Sequence, residues 1–356
     1  MKTNIFIALL CYSIIGCSEK LSVNLRVDDL IFQPSLHPLT PLGSLAEIPT
    51  IDGKTVFSVH TSSRSGVAVL KINSFEFISI EIPSGKKIAD MPSTRPFGSD
   101  DVFLSPNGRV AAIEISNNTV IFVDTESGKK LWETRDINEF YTWLPEISAA
   151  LVSDSKNSTL SYIDFKTAKI EPHAISLRYQ SWALPVSNSP PRVLVGSNDT
   201  FSLIEHERNP EGIKGSVIKE FHTQHRVSSA TPALMLGGKA IVSKTSSNFM
   251  MVNLESGKET FWATGEFLTS HYAKLSENTL LVESFEPKFH GNKPWVFNIE
   301  KSTLSPVEPQ IITHGMIFEL TGRTGFMRSD SKLWFGEEQK VGTPVSFDSL
   351  LARRPG

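Results

Sequence analysis

Residues 102–134 read VFLSPNGRVAAIEISNNTVIFVDTESGKKLWET, a run of short β-rich stretches cut by turn residues. Leu104-Ser105-Pro106-Asn107-Gly108 makes a turn and Val110 to Ile115 a strand. Asn117-Asn118 returns the chain into Thr119 to Val123, and Asp124 to Gly128 turns it again before Lys130-Leu131-Trp132 opens a last strand. Val, Ile, Thr and Phe favour a pleated, half-buried backbone, while Asn, Gly, Ser, Asp and Pro supply the reversals. The stretch therefore predicts four antiparallel strands in sequence order.

Working outward, weaker copies recur at roughly 40 to 47 residues, near the period of a propeller blade. Ala149 to Ser153 and Ser161 to Asp164 lead to Lys166-Thr167-Ala168-Lys169. Arg192 to Val195 and Thr200 to Ile204 lead to a longer turn around Asn209 to Gly215. Ala240 to Ser243 and Phe249 to Asn253 lead to Glu255-Ser256-Gly257-Lys258, with Trp262 beyond. Leu280 to Glu283 with Trp295 to Ile299, and Thr324 to Arg328 with Leu333 to Phe335, give two more. The first copy is looser: Thr55 to Val59, Val67 to Ile72 and Ile80 to Lys86. The expected fold is all-β, a single β-propeller of about seven four-stranded blades. Six or eight would also fit, because 24–32 and 74–82 could be additional strands. One blade cannot bury both faces of its own sheet, so the blades must stack around an axis and the ring must close. Asn24 to Phe32 has no partner in its own unit and is expected to complete the last blade.

The repeat resembles the blade of WD40-like and pyrroloquinoline-quinone-like propellers, in which an acidic residue, a short spacer, Gly and Lys precede an aromatic strand. That resemblance implies the fold and argues against the quinone: the turn-following aromatic survives only at Trp132 and Trp262, and the cofactor ligands cannot be placed. No cofactor is expected.

The N-terminus has a second message. Lys2, the apolar run Ile5 to Leu10 and Ile14-Ile15-Gly16-Cys17 resemble a bacterial lipoprotein signal. Residues 1–16 would be removed, Cys17 lipidated, 17–23 left as a tether and 24–350 folded as the propeller. The run is too short for a span of about 20 apolar residues. Acyl chains contribute roughly 0.8 kcal/mol per buried methylene, enough for stable anchoring when more than one is attached. Cys11 would leave with the signal, so the mature chain would have no disulfide, which a core of this size does not need. Ser18 is not the aspartate that commonly retains lipoproteins at the inner membrane, so the outer membrane is favoured. Anchor and fold together resemble the propeller lipoproteins of outer-membrane β-barrel assembly machinery, in architecture only. The expected partners are the membrane, through the lipid, and an envelope protein.

The net charge of −3 leaves no basic footprint, so no nucleic-acid partner is expected. No Gly-x-Ser-x-Gly elbow occurs. His222 and His225 have the wrong spacing to share a metal on an extended strand, and His60, His271 and His314 are not equivalent positions. No catalytic residue and no metal ligand is assigned. In propellers of the kind this repeat resembles, the loops entering each blade share one rim with those between second and third strands. There Phe97, Tyr141, Trp143, Tyr179, Trp182, Arg226, His271, Tyr272 and His314 are the candidate recognition residues, being of the types that dominate interfaces. Trp143 and Trp182 would otherwise pack between blades. The expected role is a non-catalytic binding or scaffold protein. The alternatives are a propeller lyase or lactonase with a central metal, and an immunity lipoprotein that binds a toxic enzyme.

Overall fold

In the computed structural model the second strand of each of blades 2 and 3, Val110–Ile115 and Ala149–Asp154, is buried through most of its length. Continuous burial of this kind arises when a sheet is covered on both faces. The structure describes residues 46–47 and, apart from connecting stretches, residues 54–346. The longest of those stretches are 93–100, 177–180, 224–233, 264–267, 287–290 and 309–314.

The described strands fall into seven antiparallel sheets. Blades 1 to 7 begin at Val56, Val102, Ile137, Ser181, Leu234, Leu268 and Gly315, and in each the strands are joined in sequence order. First strands touch one another around the ring, blade 7 meeting blade 1, except that blade 3 meets the second and third strands of blade 2. The first strands are therefore innermost. Six sheets have four strands; in blade 6, Lys340–Val341 and Val345–Ser346 add to the outer strand Thr303–Glu308. Residues 76–81 are the ordinary third strand of blade 1, not an additional one.

An N-terminal strand closes the ring, though not the one expected. Ala46–Glu47 pairs with Lys332–Gly336, Ala46 opposite Leu333, and supplies the outermost strand of blade 7. Residues 24–32 lie outside the described residues.

The core is a series of inter-blade layers. Between blades 2 and 3, Phe122, Trp132, Phe140, Trp143 and Phe165 pack with Val110, Ala112 and Val152. Trp132 stacks on Phe122 with centroids 5.1 Å apart, and Trp143 on Phe165 at 5.7 Å. Between blades 3 and 4 a polar clamp joins the apolar layer. Arg208 donates to Asp164 and to the carbonyl oxygens of Ile147 and Ser148. Burial raises the cost of ionising Asp164, yet Arg208, the Lys166 amide and the Thr167 hydroxyl together hold its carboxyl below the usual range.

The recurring turn is structural, as its sequence implied. Asp124 Oδ1 accepts from the amides of Glu126 and Ser127, and Asn253 Oδ1 does the same for Glu255 and Ser256. Gly128 has φ +69°, and a Cβ there would lie 1.9 Å from the Asp90 carbonyl oxygen, so only glycine fits.

Trp182 lies over Gly196, directly across the strand pair, where a Cβ would come within 2.2 Å of the indole. Gly196→Ala is expected to lose about 1–3 kcal/mol of stability through overpacking. Urea unfolding would measure it, and an unchanged midpoint would show that the indole can move aside.

Candidate binding face

Two backbone bonds confirm that the entering linkers and the loops between second and third strands share one rim. Ile137 N–H donates to Asn118 O at 3.0 Å, and Ser155 N–H to Asp136 O at 3.0 Å. The linker into blade 3 is a single residue, Asp136, with φ +68°, between strands ending at Arg135 and starting at Ile137.

That short linker overturns part of the expected recognition set. Tyr141, Trp143 and their neighbour Thr142 lie inside the first strand of blade 3, toward its far end. Trp143 is 7 % exposed and donates from Nε1 to Phe103 O at 3.2 Å. Tyr141 is partly buried against the layer between blades 3 and 4. Trp182 is 8 % exposed, at an edge to Phe201. Both indoles fill inter-blade space, because stacked twisted sheets leave gaps that large flat rings close. They are core residues and cannot present a recognition surface. His271 and Tyr272 lie within the first strand of blade 6, next to an irregularity in its ladder. Phe97, Tyr179, Arg226 and His314 lie outside the described residues, as does Cys17.

What the rim of blades 2 and 3 presents, beside the exposed Arg135, is mainly carboxylate. Asp101 precedes the first strand of blade 2, and Glu114 nears the end of its second strand. Asp136 and Glu139 open blade 3, and Asp154 ends its second strand. Asp101 and Asp136 are exposed, and Glu114, Glu139 and Asp154 half-buried. Glu114 bridges the two blades: its amide donates to Asp101 O at 2.9 Å, and its carboxyl accepts from the Phe140 amide. Phe140 adjoins a break in the register of its ladder, which turns that amide to the side chain. Burial raises the Glu114 pKa, the Phe140 amide lowers it, and the charges of Asp101 and Glu139 raise it further, to about 8. Among the described residues no three His, Cys, Asp or Glu side chains are grouped to hold a metal ion. Nor is any helix among them long and apolar enough to cross a membrane.

No family model and no curated protein matches the chain. Solved structures do. The crystal structure of BamB from Moraxella catarrhalis is 11 % identical, covering 84 % of this chain and 92 % of that one, with a TM-score of 0.47. A chain in the crystal structure of the mitotic checkpoint complex is 12 % identical, covering 85 % and 96 %, with a TM-score of 0.55. Identity this low speaks for the fold alone. The chain is a β-propeller, and its own residues must say more than that.

The Glu114 bridge gives a signed expectation. Its folded pKa of about 8 lies above the ordinary 4.5, so the unfolded chain releases this proton first. Its contribution to stability is greatest below pH 4.5 and is lost progressively as pH rises to about 8. Glu114→Gln should remove this slope from a stability–pH profile. A profile of unchanged slope over that window would show that the carboxyl does not titrate as described.

Proposed function

We propose that the protein is a lipid-anchored propeller of a bacterial envelope that binds a protein partner through the rim of blades 2 and 3. The supporting observation is the carboxylate rim on a rigid frame. Asp101, Asp136 and Glu139 are held by strand ends and a one-residue linker, so ordering them costs little entropy on binding. Such a rim suits a partner surface rich in Lys or Arg, for which charge steers encounter and orientation. The propeller of similar fold in the mitotic checkpoint complex belongs to a protein assembly, which agrees with a recognition role.

The location rests on sequence. Ile14-Ile15-Gly16-Cys17 reads as the acylation signal for Cys17, and with Ser18 in place of the retaining aspartate the outer membrane is favoured, facing the periplasm. Recognition of an envelope protein, not turnover, is the role this assigns to the rim.

Two measurements test the two halves separately. Cys17→Ser should move the protein from the membrane fraction to the periplasmic extract; a mutant that still sediments with membranes ends the anchor reading. Asp101→Asn combined with Glu139→Gln should lower partner recovery from solubilised membranes by about tenfold at physiological salt, with the melting temperature unchanged. That loss corresponds to about 1.4 kcal/mol. Full recovery by the double variant would place the interface elsewhere on the ring.

A further inference from the structure

The first strand of blade 1 carries a pair that the binding rim does not use. Ser58 Oγ and His60 Nε2 are 2.6 Å apart, two residues apart on one side of strand Val56–Thr61. Both side chains are half-buried. The imidazole also hydrogen-bonds the backbone of Val102 in blade 2, an interaction that favours the protonated ring. Such a bond runs to the carbonyl oxygen; with Nε2 facing Ser58, we assign Nδ1 as its donor, which leaves Nε2 to accept the Ser58 hydroxyl proton. A hydroxyl bonded to a base, with that base oriented by a third group, is the arrangement that activates a serine.

A cation stands beside the pair. Lys71 is directly across the ladder from Ser58, hence on the same side of the sheet. Its charge reaches His60, and its ammonium lies 5.8 Å from the centroid of Phe77, the next residue across. Phe57, the residue added by the irregularity between Val56 and Ser58, is 49 % exposed.

We propose that Ser58 is an activated nucleophile that accepts an acyl group from a small carboxylic ester, with His60 as general base and Lys71 stabilising the developing oxyanion. Ser58 Oγ bonds to the carbonyl carbon as its proton passes to His60 Nε2. The ester C–O bond then breaks, and the leaving alkoxide takes that proton. Water reverses the sequence: its oxygen bonds to the acyl carbon, its proton passes through His60, and the carboxylic acid departs as Ser58 recovers its hydrogen. No oxidant, metal or further reactant is needed. This capacity is separate from the binding rim and does not depend on it.

Burial first, and then the Lys71 charge, lower the His60 pKa to about 4, against the opposing bond to Val102. The base form is thus already present at neutral pH. The test uses detergent-solubilised full-length protein and a fluorophosphonate probe, with the labelled residue mapped by peptide mass spectrometry. Ser58 is expected to be labelled at a rate that is flat from about pH 6 to 8 and falls toward pH 4. Ser58→Ala should abolish labelling. His60→Gln should slow it by about 100-fold or more, the usual worth of a general base. Labelling confined to other serines, an unchanged rate in His60→Gln, or a rate that climbs tenfold per pH unit through neutrality would each overturn the proposal. Should His60→Gln fail to fold, the pH profile of the unmodified chain decides alone.

Discussion

Everything in this molecule depends on neighbouring sheets covering one another. A four-stranded sheet of Val, Ile and Phe leaves two apolar faces, and each buried layer is shared between consecutive blades. At about 25 cal/mol per Å² of apolar surface removed from water, an uncovered face would be a large loss. The ring must therefore close, and it is clasped from both ends of the described chain. Ala46–Glu47 joins the last blade, while Lys340–Val341 and Val345–Ser346 run back onto the edge of blade 6. These additions also cover strand edges that would otherwise be open to pairing with another chain.

The same constraint explains which residues are left for function. Large rings are drawn into the layers, as with Trp143 on Phe165 and Trp182 on Gly196. Polar side chains that cross a layer are enlisted as bridges, as with Arg208 on Asp164 and Glu114 on the Phe140 amide. The strand ends and the short linkers remain outside the layers, and on blades 2 and 3 these carry carboxylates. Glu114 lies at the same rim but serves as a bridge, since burial holds its carboxyl largely protonated at neutral pH.

Much of the fold was legible because its signals are local. The Asp124-to-Gly128 turn, its copy at Asn253 to Gly257 and the strands of residues 102–134 follow from side-chain reach and positive φ within six residues. The rim was not legible. Tyr141 and Trp143 were expected in the entering loop, but Asp136 reverses the chain alone in a left-handed conformation that no turn dipeptide announces. The ring-closing strand was sought too early because Ala46–Glu47 is only two residues long and has no period of its own. Glu114 gave no signal either, since Phe140 and Asp101, which set its environment, come from other strands. The alternation of Ser58 and His60 on one strand could be read from sequence; the contact of His60 with Val102 in the next blade could not.

The central claim is that the rim of blades 2 and 3, not the opposite rim, meets an envelope partner. A photo-crosslinking amino acid placed at exposed Asn138 reports the first, and one at exposed Glu126, in the turn of blade 2, reports the second. After irradiation of intact cells, the account predicts a single heavy adduct from position 138 and none from position 126. An adduct from 126 alone, or from neither position, would contradict it.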